Sequence, residues 1–559
     1  MMKLKIKYNF IAVAILLIAG AGFLAYINSL GGEFLYDDML LVVKNIKITS
    51  WNNIFHLFRE NIYNILGENN SFYYRPILMV TYMMDHSLWN LNPVGYHFTN
   101  ILLHILSAIT LFFLLCILFK DKLLSFLASI FFVTCPIHTE AVSYISGRAD
   151  PLSALFIFAA FISYLLSLDS DNVRAYIIMS VCYICALLSK ESSLIFPALI
   201  FLYHYIFKGK INRKGVALVM AIFFTYLFLR IVFRGPSLVS DTVNVAPFLD
   251  RVPTFFTAIA AYIRLLFVPY PLHMGYGYRQ FYWHNPSVIT GVIIVLLSAL
   301  YVYKNRGKSG DLVSFSILWF FVTLLPQSNL FPINAYMSEH WLYLPSIGFF
   351  LILGDCVLVL MKKVRTAAII YTVTILLFSS YVTARQNEYW RNCIAFYERT
   401  IKYSPHCGRS YNNLGAVYLT RRDPEMAIKI LKKAVMIDPS CSDSYINLGI
   451  AYTELKKYDL AAQLFKQGLR INPRNAAGYY YLGRLYVVCG SEKQALEEFK
   501  KTVGLCPDYA EAHISLGSIY FNRKEYFLAK KHVDKALQLG CKIEGSEFFK
   551  ILDEKNEQN

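Results

Sequence analysis

From Tyr8 to about residue 385 the chain alternates long apolar runs with short polar breaks, and beyond that a mixed pattern recurs every 34 residues. The apolar runs fall near 8–28, 98–119, 121–136, 151–168, 174–189, 192–207, 214–233, 286–303, 312–326, 341–361 and 365–384. A helix rises about 1.5 Å per residue and a bilayer's hydrocarbon core is about 30 Å thick, so runs of this size predict membrane-crossing helices. A further run, 253–270, contains Arg264 and ends in VPYPL. It is expected to dip into the membrane and return, which leaves eleven crossings.

The second pattern is a repeat. Pro405, Pro439, Pro473 and Pro507 stand in register with Leu414, Leu448, Leu482 and Leu516, with Gly415, Gly449, Gly483 and Gly517, and with Ala427, Ala461, Ala495 and Ala529. This period and residue set mark tetratricopeptide (TPR) repeats, each a pair of helices. The expected fold class is all-α: a polytopic helical membrane domain over 1–385, a connecting half repeat at 386–407, four TPR repeats over 408–543 forming an α-solenoid, and a polar tail at 544–559. The concave face of such a solenoid suits a bound polypeptide.

Composition agrees with a membrane protein. The 559 residues are 56% hydrophobic and only 16% charged, against about 25% charged in soluble domains. Mean hydropathy is +0.43. The net charge of +17 lies largely in the short clusters KLKIK, KDK, KGKINRK, KNRGK and KKVR between apolar runs. With eleven crossings all of them fall on the side of the N-terminus, as the positive-inside rule asks of cytoplasmic loops. Nucleic-acid binding is therefore not the reading of this charge. The N-terminal run is expected to be an uncleaved signal anchor, with the N-terminus cytoplasmic and the TPR array on the non-cytoplasmic side. Most of the eleven cysteines lie in apolar stretches, where a buried thiol is the plain expectation.

On this topology the outer face gathers Asp37, Asp38, His97, His138, Glu140, Arg148, Asp150, Lys190, Glu191 and the pair Glu339–His340. Charge is costly at depth, so such clustering at one bilayer surface suits a binding or catalytic site. His104 lies well inside an apolar helix and is expected to be a satisfied core histidine. No HExxH, P-loop, GxSxG or GxGxxG context occurs, so zinc proteolysis, nucleotide hydrolysis and serine hydrolysis lack support. Arg148 and Lys190 are suited to an anionic headgroup, and a carboxylate opposite them to deprotonating an acceptor hydroxyl. Each basic group is equally what an interface presents to lipid headgroups.

The stretches EFLYDDMLLVVKN, RPILMVTYMMDHSLWNLNPVGYHFTNILLHI, CPIHTEAVSYISGRADPLSALF, LLSKESSLIFPAL and EHWLYLPSIGF resemble the transmembrane-and-TPR-repeat-containing protein O-mannosyltransferase family. The resemblance covers nearly the whole chain, motifs in order. Residues 241–278 depart from it, lacking the family's aspartate–tryptophan element. Short loops hint at a prokaryotic member. The resemblance implies a GT-C membrane glycosyltransferase, with about eleven transmembrane helices. It would move a sugar, typically mannose, from a polyprenyl-phosphate lipid to a Ser/Thr hydroxyl of a protein acceptor recruited by the TPR array. Inversion at the anomeric carbon would follow from a single displacement. Asp38 is then expected to be the general base, with Asp37 the close second. His138, Glu140, Arg148 and Lys190 match donor-side positions, and Arg75 and His340 are further candidates. No cofactor is required, although Asp37 and Asp38 together have the oxygen ligands for a divalent ion. Transfer to a glycan or lipid, and a non-enzymatic membrane scaffold displaying TPRs to an envelope complex, are the alternatives.

Overall fold

The computed structural model describes residues 2–59, 73–169, 172–234, 247–276, 281–330, 335–539 and 541. The polar tail 544–559 therefore lies outside the described residues. The first unit ends at Asn392 and the second begins at Cys393. Residues 386–392 consequently pack with the first unit rather than starting the repeat domain. Trp390 stacks on Tyr144 at 5.4 Å, and the Glu33 N–H donates to the Arg391 carbonyl at 3.1 Å.

The first unit contains α1 (Met2–Tyr26), the short α2 (Ile54–Leu57), α3 (Pro76–Trp89), α4 (Pro93–Phe119), α5 (Lys122–Val133), the short α6 (Thr139–Val142), α7 (Ala149–Asp169), α8 (Val173–Leu187), α9 (Phe196–Phe207), α10 (Arg213–Arg234), α11 (Phe248–Phe267), α12 (Pro286–Asn305), α13 (Leu312–Leu324), α14 (Ser346–Lys363) and α15 (Arg365–Tyr389). Several apolar helices begin on a polar cap whose side chain accepts an otherwise orphaned backbone N–H. Asn92 does this for α4, Asp121 for α5, Asn172 for α8, Asn285 for α12 and Asp311 for α13. The bundle core runs through α4, α5, α7, α8, α9, α13 and α14.

Every apolar run becomes a helix, but not every helix is long enough to cross. Among the described residues six are both long and apolar enough, within α1, α4, the 145–168 segment, α10, α12 and α15. A seventh arises if α5 and the 136–142 segment, bent by 49°, form one span. This is fewer than the eleven expected, for identifiable reasons. The chain bends at Cys135–Pro136, α8 and α9 are separated by the polar Ser189–Lys190 step, and α13 gives way to a tighter turn at Pro326. Helices α11 and α14 each carry three charged residues. The run 253–270 does not turn back on itself: α11 is one continuous helix of 20 residues, about 30 Å long, packed on α12.

The second unit holds α16 (Cys393–Tyr403) and four helix pairs: α17 (Gly408–Thr420) with α18 (Pro424–Ile437), α19 (Ser442–Glu454) with α20 (Tyr458–Ile471), α21 (Ala476–Val488) with α22 (Glu492–Leu505), and α23 (Ala510–Asn522) with α24 (Tyr526–Gln538). The recurring glycine is where two helices touch. A Cβ at Gly415, Gly449, Gly483 or Gly517 would stand 2.4 to 2.8 Å from Leu431, Phe465, Phe499 or Val533 of the partner helix. The 34-residue register also reaches the backbone: Arg422, Lys456, Gly490 and Lys524 all take positive φ between the paired helices.

Candidate functional site

The site begins in the loop after α1. Tyr36 adopts φ 47°, and Asp38 then opens a short helical turn at Met39–Val43. Asp38 is 1% exposed. Its Oδ2 accepts the Leu35 N–H at 2.9 Å, and its Oδ1 accepts both the Ser146 N–H at 2.8 Å and the Ser146 hydroxyl. Burial pushes this carboxyl up to about 7 against the lowering effect of those donors. Asp37 is only half-buried, and its backbone N–H donates to the Tyr144 hydroxyl at 3.1 Å. The adjacent acids are thus chemically unlike. Asp38 fastens the first loop to the 145–148 turn, and Asp37 stands on that fastening.

The 145–148 turn is itself pinned by Arg148, which is fully buried. Its guanidinium donates to Asn100 Oδ1 at 2.6 Å, Thr81 Oγ1 at 3.1 Å and the Tyr96 carbonyl at 3.0 Å. It pairs with Asp85 at 2.5 Å and lies over the Tyr82 ring at 4.7 Å. All three nitrogens are engaged, so Arg148 joins α3, α4 and the turn instead of facing a donor phosphate as the sequence suggested. Asn100 adds to the tie by donating to the carbonyls of Val142, Tyr144 and Ile145.

The cations that do gather are Arg75, Lys190 and Arg230. Arg75 donates to Glu191 Oε2 from two nitrogens at 3.0 and 2.8 Å, and Arg230 stands 4.0 Å from Glu191 Oε1. Lys190 meets Asp150 at 2.5 Å. Burial draws the Lys190 ammonium below its ordinary value, with Asp150 opposing. Three cations and two carboxylates thus gather at one place. Tyr73 connects this cluster to the first loop. Burial raises its hydroxyl, and that group also feels Arg75, Glu191, Asp37 and Arg230.

Three other expected residues serve different purposes. His138 is fully buried; its ring nitrogens meet the Phe132 carbonyl at 3.0 Å and Ser346 Oγ at 3.1 Å. It packs against His104 and Tyr343, so it belongs to the bundle core and not to a donor site. His104 is likewise satisfied, by the Tyr343 hydroxyl at 2.7 Å and the Val133 carbonyl at 3.1 Å. Glu140 is buried and accepts the Ser338 hydroxyl, the His340 N–H and, at 2.9 Å, His340 Nδ1. It positions the 338–340 loop. His340 keeps part of its ring exposed, with Nδ1 fixed by a carboxylate, the arrangement that sets a histidine's tautomer.

Sequence reasoning missed Asp85, Ser146, Tyr73 and Arg230. Asp85 had a usable signal: it is the one carboxylate in the apolar run 76–89, and a charge in such a run demands a partner. Arg230 lies inside the apolar run 214–233, near its end. Among the described residues no three His, Cys, Asp or Glu side chains come together as metal ligands. The Asp37–Asp38 pair fits a shared ion poorly, because both Asp38 oxygens already accept protein hydrogens.

Fold and site together define a multi-pass membrane protein with a polar, loop-built site at one end of its helical bundle and a C-terminal TPR array. A tetratricopeptide repeat model matches residues 408–441, and a second matches 442–475. The chain is similar to human protein O-mannosyl-transferase TMTC3, 26% identical over 473 residues that cover 75% of this chain and 51% of the human protein. It is also similar to protein O-mannosyl-transferase F38B6.6 of Caenorhabditis elegans, 27% identical over 424 residues covering 72% of this chain and 59% of the relative. The chain thus spans between half and three-fifths of the length of these relatives. The crystal structure of MamA aligns with 26% of this chain and 86% of its own, at 28% identity and TM-score 0.24.

Proposed function

We propose that the chain is an integral-membrane glycosyltransferase moving a sugar, mannose, from a polyprenyl-phosphate lipid to a Ser/Thr hydroxyl of a protein acceptor on the non-cytoplasmic face. The names of the relatives support the reaction class. The structural observation that supports the mechanism is the cluster in which Arg75 binds Glu191 from two nitrogens, lies over the Tyr73 ring at 4.8 Å and has Arg230 nearby. The Tyr73 hydroxyl also feels the charge of the half-buried Asp37.

Asp37 takes the proton from the acceptor hydroxyl as its oxygen attacks the anomeric carbon. The bond from that carbon to the lipid phosphate breaks, and the phosphate leaves with the bonding electron pair. One in-line displacement inverts the anomeric centre. Arg75, Lys190 and Arg230 hold the phosphate and stabilise its growing charge. Asp38 is the anchor in this scheme and not the base. The TPR array engages the acceptor polypeptide. No step requires a metal.

The test is full-length protein in liposomes with polyprenyl-phosphate mannose and Ser/Thr-containing polypeptides, read by mass spectrometry. Mannosylated peptide with wild type and none with Asp37→Asn supports the proposal. No transfer by wild type to any acceptor favours the scaffold reading.

A further inference from the structure

Asn329 is 1% exposed, yet neither its side-chain oxygen nor its side-chain nitrogen has a hydrogen-bond partner. A buried polar group left in this state costs more than an ordinary hydrogen bond returns, so a buried amide of this kind calls for something that completes it. The turn does not account for the side chain. Asn329 has φ 59°, a conformation open to asparagine and glycine alike, and glycine would make the same turn with no amide to bury.

A second group beside it is also incomplete. Arg251, near the start of α11, is buried. Its Nη1 donates to the carbonyl of Asn329 at 3.3 Å and to that of Leu330 at 2.8 Å, while its Nε is buried without a partner. Asn329 therefore offers N–H donors and a carbonyl acceptor, and the guanidinium clasping its backbone offers one more donor. The Leu325–Gln327 turn, which leads to Asn329, packs on the Glu191–Ile195 turn, and Glu191 is the carboxylate that Arg75 holds. These unfilled groups stand at the same end of the bundle as the cations assigned to the lipid phosphate. An ionised phosphate only accepts hydrogen bonds and would leave the Asn329 oxygen unanswered. Sugar hydroxyls both donate and accept, and the donor's sugar is bonded directly to that phosphate. Arg251 also lies within 241–278, the segment in which the chain departs from the family it resembles.

We propose that the Asn329 side-chain amide and Arg251 Nε form the subsite for the hydroxyls of the donor's sugar. The amide gives one hydrogen bond to the sugar and takes another from it. Asn329 then reads the sugar while Arg75, Lys190 and Arg230 hold the phosphate. This inference deepens the transferase reading and rests on it.

The experiment compares Asn329→Gly with wild type, both full-length in nanodiscs. Each is melted without donor, then titrated with polyprenyl phosphate or with polyprenyl-phosphate mannose, and Kd is read from the rise in melting temperature. Glycine keeps the positive φ and removes both unpartnered atoms, so the variant should melt no lower than wild type. Its Kd for the mannosyl lipid should rise about tenfold, the effect of losing one hydrogen bond to the ligand. Its Kd for the sugarless lipid should stay within about twofold of wild type. A lower melting temperature without donor would mean that water completes the amide in the resting protein. Equal weakening toward both lipids would mean that the site holds phosphate, and unchanged affinity for both that it holds neither. Each of these three results overturns the inference. Mannose transfer by wild type alongside any of them leaves the transferase reading standing, whereas a wild type that neither binds nor transfers from the mannosyl lipid removes both.

Discussion

Ser146 donates both its backbone N–H, at 2.8 Å, and its hydroxyl to a single oxygen of Asp38. The two residues are 108 apart in sequence, and this contact ties the loop after α1 to the turn before α7. Removing the hydroxyl in Ser146→Ala leaves only the backbone donor on that oxygen. Above pH 7, where Asp38 is ionised, a hydrogen bond to a charged group is worth about 1.5–3 kcal/mol, so the variant should there melt at lower temperature. Amide exchange across 33–46 should rise while the TPR helices are unaffected, as hydrogen–deuterium exchange would read.

The two aspartates should separate by kind of defect. Asp37→Asn is expected to lower sugar transfer by roughly 10²–10⁴-fold, the range for a lost general base, and to melt at a higher temperature than Asp38→Asn. Asp38→Asn must turn an amide N–H2 toward a backbone N–H donor. It should cost about 1–3 kcal/mol and retain measurable transfer at low temperature. Paired thermal melts and transfer assays decide; a stable but inactive Asp38→Asn protein would return the base to Asp38.

Titration of Asp38 should be visible in loop stability. Its folded value of about 7 lies above the ordinary 3.8, so the folded protein holds that proton more tightly than the unfolded chain. The resulting stabilisation is complete below the unfolded value and is lost as pH rises through 7. Exchange across 33–46, corrected for intrinsic rates, should therefore quicken from about pH 5 to pH 8. In Asp38→Asn that dependence should be flat.

Breaking the Arg148–Asp85 pair should damage folding more than donor affinity. Arg148→Met leaves Asp85 buried beside an apolar chain, at a cost of about 3–5 kcal/mol. Adding Asp85→Asn should recover part of that loss, the two effects being non-additive because the groups touch. Melting temperatures of the two single variants and the double variant complete the cycle. A normally stable Arg148→Met with only a raised KM for the lipid donor would restore the phosphate role.

Arg230 offers the opposite case. Its nearest nitrogen stands 4.0 Å from Glu191, and Arg230→Gln should lower donor affinity more than it lowers the melting temperature. It should raise the donor KM by about tenfold, the effect of losing one charge-assisted contact of about 1.4 kcal/mol. Titration of polyprenyl-phosphate mannose at fixed acceptor measures it.

Much of the molecule was legible in its residues. Runs of about 20 apolar residues must become helices in a bilayer, because no other local structure satisfies the backbone there. The 34-residue register of Pro, Gly and Ala specified the TPR pairs for an equally local reason: at each glycine the partner helix's Leu431, Phe465, Phe499 or Val533 comes within 2.4 to 2.8 Å of where a Cβ would stand. The acid pair was legible as a feature too. What its two members do was not, since burial and contacts 107 and 108 residues away tell Asp37 from Asp38. His138 and Arg148 read as site residues because polar groups in an apolar setting mark function as often as buried satisfaction; the Phe132 carbonyl, Ser346, Asn100 and Asp85 decide between these, and none is identifiable as a partner from spacing.

The sequence by itself determined the helical class, the change from membrane unit to repeat array and the acid-bearing loop, because hydrophobic period, proline and glycine act within a few residues of where they stand. Only the tertiary structure decided which carboxylate is anchored and which half-buried, and which arginine is spent on the core and which joins Lys190 and Glu191. Those outcomes depend on burial and pairing between segments far apart in the chain, and charge in a low-dielectric interior is settled by its partner rather than by its neighbours in sequence.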